Sequence, residues 1–306
     1  MKHATVIALV VLLLIPIMAM AQPDPRGQIL VSTRNKSIYA APPTESVSPG
    51  DMGALILLQN AGYRGKLYAD AYMPDEYTAA EVTGDTIELV YLSGSSSSSD
   101  VQAVPEGVPV LMGEHVTLAN PARAGTIPFY AEGTSTGDTN RWGQDSTGLT
   151  QYMKLVNTSH PITQGIQTDA NGLVRILRDP YPNEDAYSRP DPLVSGSWKK
   201  NYEYAWPGAD IAGKASGLTV LGVSPLDETR VVFAVLEQGA TMANGQPASA
   251  RYVHIHVNEN GSGGTMRRFL GMNETGRLLF LRAAQWAMGD PLSQPGASEV
   301  ENWNLY

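Results

Sequence analysis

The sequence predicts an α/β fold built on a mostly parallel central sheet. Three observations carry this. Short apolar runs alternate with helical segments in the order strand, helix, strand, helix, strand, loop, strand, the pattern of a sheet covered on both faces. The runs are continuously apolar rather than alternating, which suits strands buried on both sides. The chain has no cysteine in 306 residues, so its stability must come from the core of one large domain, not from covalent staples.

The elements follow in order. "QILVST" (28–33) is a β-branched strand. "SPGDMGALILLQNAGY" opens with Ser48 as a candidate cap and Pro49 at the first helical position; Leu55 and Leu58 fall at helical spacing and Gly62 ends the helix. "KLYAD" (66–70) is a second strand. "PDEYTAAEV" carries acids in its first turn after Pro74, as a short helix does. "IELVYL" (87–92) and "VPVLMG" (108–113) are two further strands. Residues 131–148 are rich in Gly, Ser and Thr and form a surface excursion. "YMKLVN" (152–157) is a strand, "SHPITQG" (159–165) a turn, and "LVRILRD" another apolar stretch. Residues 180–210, rich in Pro, Tyr and Trp, form a long insertion. "LTVLGVS" and "RVVFAVLEQGA" are strands. "RYVHIHVNE" (251–259) alternates, with Val253, Ile255 and Val257 on one face and Tyr252, His254 and His256 on the other. "ETGRLLFLRAAQWAMG" is the strongest helix, anchored by Trp286 and stopped by Gly289.

Residues 1–21 combine Lys2, an apolar run from about Val6 to Met18, and Ala19-x-Ala21. This is the pattern of a secretory signal peptide cleaved after Ala21, and the run is shorter than the ~20 residues of a bilayer span. The expectation is a secreted or periplasmic protein with no membrane span after cleavage. It comprises one domain over 22–306 with insertions near 131–150 and 180–216. The balance of 21 basic to 30 acidic residues lacks the clustered basic charge that nucleic acid requires. The missing cysteine excludes thiolate metal sites and a cysteine nucleophile.

The order "ILVST", "IELVYLSGSSSSSDV", "VPVLMGEHV", "SHPITQGI", "VLEQGATMANGQPASARYVHIHV" and "ETGRLLFLRAAQWAMG" resembles the ThuA-like branch of the class I glutamine amidotransferase-like superfamily, in the versions found in secreted bacterial proteins. The resemblance covers most of 22–306 except 131–150 and 180–216. It implies a flavodoxin-like three-layer sandwich. In the amidotransferases a nucleophilic Cys sits on a strained turn after a central strand; the matching place here is Ser93–Ser95. With no Cys, glutamine hydrolysis by that route is not expected. ThuA-like proteins commonly lack the Cys as well, and their association is with sugar metabolism.

Ligands of open α/β sheets bind outside the carboxyl ends of the strands, where strand order reverses. Ser93, Gly94 and Ser95 leave one such end, and Glu114 and His115 another. A serine nucleophile needs a base and an oxyanion hole, and "SGSSS" has only one of the two glycines of G-x-S-x-G. The other reading is a turn whose N–H groups and hydroxyls, Gly94 included, cradle a ligand's oxygens. Glu114 is either a general base or a carboxylate that caps loop N–H groups. His254 and His256 lie on one side of a strand, about 7 Å apart, and are candidate ligands for a divalent metal or structural histidines; no other cofactor is expected. His160 flanks the site through its family-like motif, or only stabilises its turn before Pro161. Trp198, Tyr202 and Trp206 can stack on sugar rings or pin the insertion to the domain. Two functions follow. One is a non-catalytic or degenerate amidotransferase-like domain that binds or organises carbohydrate or envelope material. The alternative is an extracytoplasmic hydrolase or isomerase acting on a sugar derivative through Ser93/Ser95 or a His254/His256/Glu114 site.

Overall fold

The computed structural model describes residues 26–33, 49–70, 86–97, 99–132, 152–177, 209–225, 227–255, 269 and 272–294. They form a ten-stranded sheet. Its strands are β1 (Arg26–Thr33), β2 (Tyr63–Ala69), β3 (Ile87–Leu92), β4 (Val110–Met112), β5 (Tyr152–Leu155), β6 (Leu173–Arg175), β7 (Ala209–Asp210), β8 (Thr219–Val223), β9 (Arg230–Leu236) and β10 (Tyr252–His254). Two helices pack on it, α1 (Pro49–Asn60) and α2 (Glu274–Met288).

The strand order is β2-β1-β3-β4-β10-β9-β8-β5-β6, with β7 attached to β9. The first five run parallel. Every later pairing is antiparallel. The sheet is therefore mixed, which corrects the expectation of a mostly parallel one. The physical reason lies in the connections. Residues 224–229 join β8 to β9 and 237–251 join β9 to β10, with no helix among their described residues to carry the chain across the sheet. Direct returns of that kind produce antiparallel neighbours, whereas parallel pairs need a longer crossover.

The parallel strands are apolar on both sides because each side is covered. Ile29, Val31, Leu89, Tyr91, Leu111 and Val253 face α1 and α2, meeting Leu55, Leu58, Leu279 and Phe280. Tyr91 and Phe269 both meet Phe280 edge-to-face, at centroid distances of 5.2 and 5.0 Å. On the other side Leu30, Val90, Leu92, Met112 and Tyr252 meet Leu118, Phe129, Tyr130 and Leu218, which come from a 3-10 turn and loops. At roughly 1.5–3 kcal/mol per fully buried large apolar side chain, these two layers supply the main driving force for folding.

The helix ends are as the sequence patterns require. α1 starts at Pro49 and is followed by Gly62 at φ +89°, a backbone conformation that L side chains rarely adopt. α2 is capped by Asn273, whose side-chain oxygen accepts from the Gly276 N–H at 2.9 Å. It ends at Gly289 in the left-handed region. Arg282 on α2 is buried and donates to the carbonyls of Ile162, Gln164 and Ser293. Among the described residues no helix is long and apolar enough to cross a membrane. The leader 1–21, the expected helix at 74–82 and most of both insertions lie outside the described residues.

Candidate functional site

The strand order reverses between β1 and β3: from β1 the chain goes first to β2 on one side, then to β3 on the other. Both strands end at this switch point, β1 in Ser32-Thr33 and β3 in Leu92, which Ser93 follows. Here the protein builds a buried polar network around a residue that the sequence reading did not select, Asp51.

Asp51 lies in the first turn of α1 and is 1% exposed. Its Oδ1 accepts from the Ser93 hydroxyl. Its Oδ2 accepts from the Ser95 hydroxyl at 2.5 Å. Burying a carboxylate is costly unless it is hydrogen-bonded. Two charge-assisted bonds and the positive end of the α1 dipole meet that requirement. The sequence signal was present: one acid inside "GDMGALILL", an otherwise apolar helix.

Four N–H groups of the turn are engaged within the protein. The Ser93 N–H donates to Ser32 Oγ at 2.9 Å, the Ser95 N–H to Ser93 Oγ at 3.1 Å, and the Ser96 N–H to the Ser93 carbonyl at 3.0 Å. The Ser97 N–H donates to Asp70 Oδ2 at 2.6 Å, and the hydroxyls of Ser32 and Ser96 share a bond of 2.6 Å. Ser93 is 0% exposed, and Asp70, Ser95 and Ser96 are also buried. Gly94 lies inside this turn. Four N–H groups that could hold a ligand's oxygens are thus spent on the protein. One neighbour breaks the pattern: the hydroxyl of Thr33, 1% exposed, has no hydrogen-bond partner. Thr33 shares the α1 side of β1 with Val31.

Glu114 emerges beside Ser93. β3 and β4 pair in parallel through Leu92 and Met112, and the N–H groups of Gly113 and Glu114 both donate to the Leu92 carbonyl. Glu114 is buried, and its own carbonyl accepts from the Thr117 hydroxyl at 2.8 Å. His115 begins the 3-10 turn His115–Leu118, and its side chain lies outside the described residues, as do His256, Trp198, Tyr202 and Trp206.

The histidines do not join the serines. His254 lies on β10, two strands from β3, so about 9.5 Å away by strand spacing. It shares the face of Tyr252, opposite to the one that carries α1 and Asp51. There it is 2% exposed, its Nδ1 is 2.8 Å from the Tyr130 hydroxyl, and Phe129 and Tyr130 meet it edge-on. Burial pushes the Tyr130 phenol well above its ordinary range, so it stays protonated. A neutral phenol that donates to Nδ1 leaves the imidazole proton on Nε2. Both faces of β10 are covered, so the side that reads as polar in "RYVHIHV" is a second core face. Among the described residues no three His, Asp or Glu side chains are grouped as a metal site would need.

His160 lies at the other end of the sheet. β5 runs antiparallel to the β4–β10 pair, so the turn after it falls at the amino ends of the parallel strands. The Asn157 side-chain oxygen accepts from the N–H groups of Ser159 and His160, and His160 Nδ1 accepts from the Ile162 N–H at 3.3 Å. The ring packs 5.4 Å from that of Trp286. Of the residues selected from sequence, the structure brings together Ser93, Gly94, Ser95 and Glu114. It keeps His254 and His160 apart from them and from each other.

No protein-family model matches the sequence, and no curated protein is significantly similar to it.

Proposed function

We propose that this chain is an extracytoplasmic, non-hydrolytic domain of the ThuA-like and amidotransferase-like kind, acting as a binding or structural module around carbohydrate or cell-envelope material. The observation that carries the reading is the bonding of Ser93 and Ser95 to one buried carboxylate. A serine nucleophile must give its proton to a base as it attacks, and it must be reachable. Here both hydroxyls are buried and point toward Asp51, and of the described histidine side chains His254 lies on the other face of the sheet and His160 at its other end. The strand order β2-β1-β3-β4-β10 is that of doubly wound flavodoxin-like sheets, and it supports the family reading and a flavodoxin-like layering of the parallel half. In that reading the serine turn occupies the place of the lost nucleophile and has become a rivet between β1, β3 and α1. Ligand recognition then falls to other surfaces, and the aromatic stretch 181–206 is the segment whose side chains suit sugar rings.

The test is a glycan-array and peptidoglycan-binding screen of the purified chain, with elemental analysis of the same sample. The reading expects saturable glycan binding without turnover. Stoichiometric metal together with hydrolysis or isomerisation of a sugar derivative would overturn it in favour of the enzyme.

A further inference from the structure

The turn "SHPITQG", apart from the serine rim, is held against α2 from two sides, and one of them includes a titratable ring. Arg282 binds the turn's carbonyls at Ile162 (3.2 Å) and Gln164 (2.8 Å) from inside the core. On the outside, His160 packs on Trp286, and its Nδ1 accepts the Ile162 amide. Trp286 is held in turn by Arg251, whose guanidinium lies 4.9 Å from the ring centroid and donates to the Trp286 carbonyl at 2.8 Å and to Glu237 at 3.0 Å. The charged groups around the imidazole are therefore Glu237 at the end of β9, Arg251 before β10 and Arg282 on α2. Its own turn contributes only the neutral Asn157 and Ser159. Asp290, beyond α2, is engaged by the Tyr63 hydroxyl at 2.6 Å.

We propose that the Asn157–Ile166 turn is an acid-released latch: a proton taken up from solvent at His160 Nδ1 removes the acceptor of the Ile162 amide and detaches the turn from the end of α2 while the sheet stays folded. In the neutral ring Nδ1 is an acceptor, so the ring proton is on Nε2. The incoming proton can only go to Nδ1, and the bond from Ile162 N–H is lost. The resulting cation lies beside Arg251 and on the side of the core where Arg282 is already buried. Burial holds the His160 pKa below its ordinary value, against an opposing pull from Glu237 that exceeds the smaller push from Arg251. The unfolded chain therefore takes up the proton more readily than the latched one. The latch is fully present above about pH 6.5 and is lost as pH falls from there through the lowered folded value. Release bares the ring of Trp286, which is buried in the closed state.

The experiment is amide hydrogen exchange on the full chain between about pH 7.5 and about pH 5, corrected for intrinsic rates. The amides of Ile162, Thr163 and Gln164 are expected to lose about tenfold or more in protection across this range, while those of Val232 and Val235 on β9 keep theirs. His160→Asn offers an oxygen in place of Nδ1 and does not titrate, so its turn should stay protected throughout. Glu237→Gln keeps an acceptor for Arg251 but removes the negative charge, and should move the transition to lower pH. The proposal is overturned if the turn keeps its protection to about pH 5, if it loses protection only together with β9, or if His160→Asn opens over the same range as the parent.

Discussion

Removing the Ser93 hydroxyl tests the rivet at its centre. That oxygen makes two bonds, donating to Asp51 Oδ1 and accepting from the Ser95 N–H. The Ser95 hydroxyl makes only one to the same carboxylate. A hydrogen bond to a charged group contributes about 1.5–3 kcal/mol, and a buried N–H left without a partner costs about 1–3 kcal/mol more. Ser93→Ala should therefore destabilise by about 3–5 kcal/mol and Ser95→Ala by about 2 kcal/mol. The Asp51→Ala/Ser93→Ala double-mutant cycle should show a coupling of about 1.5–3 kcal/mol, because the two side chains touch. Asp51→Asn keeps the shape but presents an amide N–H₂ to one of two hydroxyl donors, and should cost about 2–4 kcal/mol. Urea unfolding followed by circular dichroism, with m-values unchanged, measures each of these. The reasoning fails if Ser95→Ala costs more than Ser93→Ala, or if both cost less than about 0.5 kcal/mol.

Other consequences are as direct. Thr33→Val replaces a buried hydroxyl that has no partner with a methyl of the same shape; it should raise stability by about 1 kcal/mol, and a clear loss in urea unfolding would show that the hydroxyl is paired in solution. Tyr130→Phe strips the phenol from His254 Nδ1 in an apolar layer and should lower stability by about 1–3 kcal/mol, with ¹⁵N shifts of the ring reporting the change at Nδ1. At Gly276→Ala, helix propensity favours alanine by about 1 kcal/mol. A Cβ there would lie 2.4 Å from the Ile176 carbonyl oxygen, which is backbone, so α2 must shift and the net change should be a loss of about 1–3 kcal/mol. A higher melting temperature for that variant would contradict the close approach.

What could be read from the sequence was whatever local chemistry determines. The start and stop of α1 are written in Pro49 and Gly62, the stop of α2 in Gly289, and the parallel course of β1, β3 and β4 in their continuous apolar runs. That course places Ser93 and Glu114 on one rim. What could not be read depends on contacts between distant segments. Asp51 looks like an ordinary acid in a helix's first turn until β3 delivers two serines to it from more than 40 residues away. The alternation of "RYVHIHV" suggests one wet face, but the loops carrying Phe129 and Tyr130 fold over it, and nothing in the period of a strand says what will cover it. The antiparallel half of the sheet follows from short connections, whose significance appears only once the strand ends are known. His160 stands in a turn motif that reads as site-flanking, yet the reversed course of β5 carries it to the opposite rim.

Labelling with a fluorophosphonate tests the central claim most directly. Such a reagent reacts with serines that a base activates and solvent reaches. Intact-mass and peptide mass spectrometry of the treated chain should find no adduct at Ser93 or Ser95, because both hydroxyls are buried and donate to Asp51. A stoichiometric adduct on either serine, abolished by prior unfolding, would contradict the account and make this rim a catalytic centre.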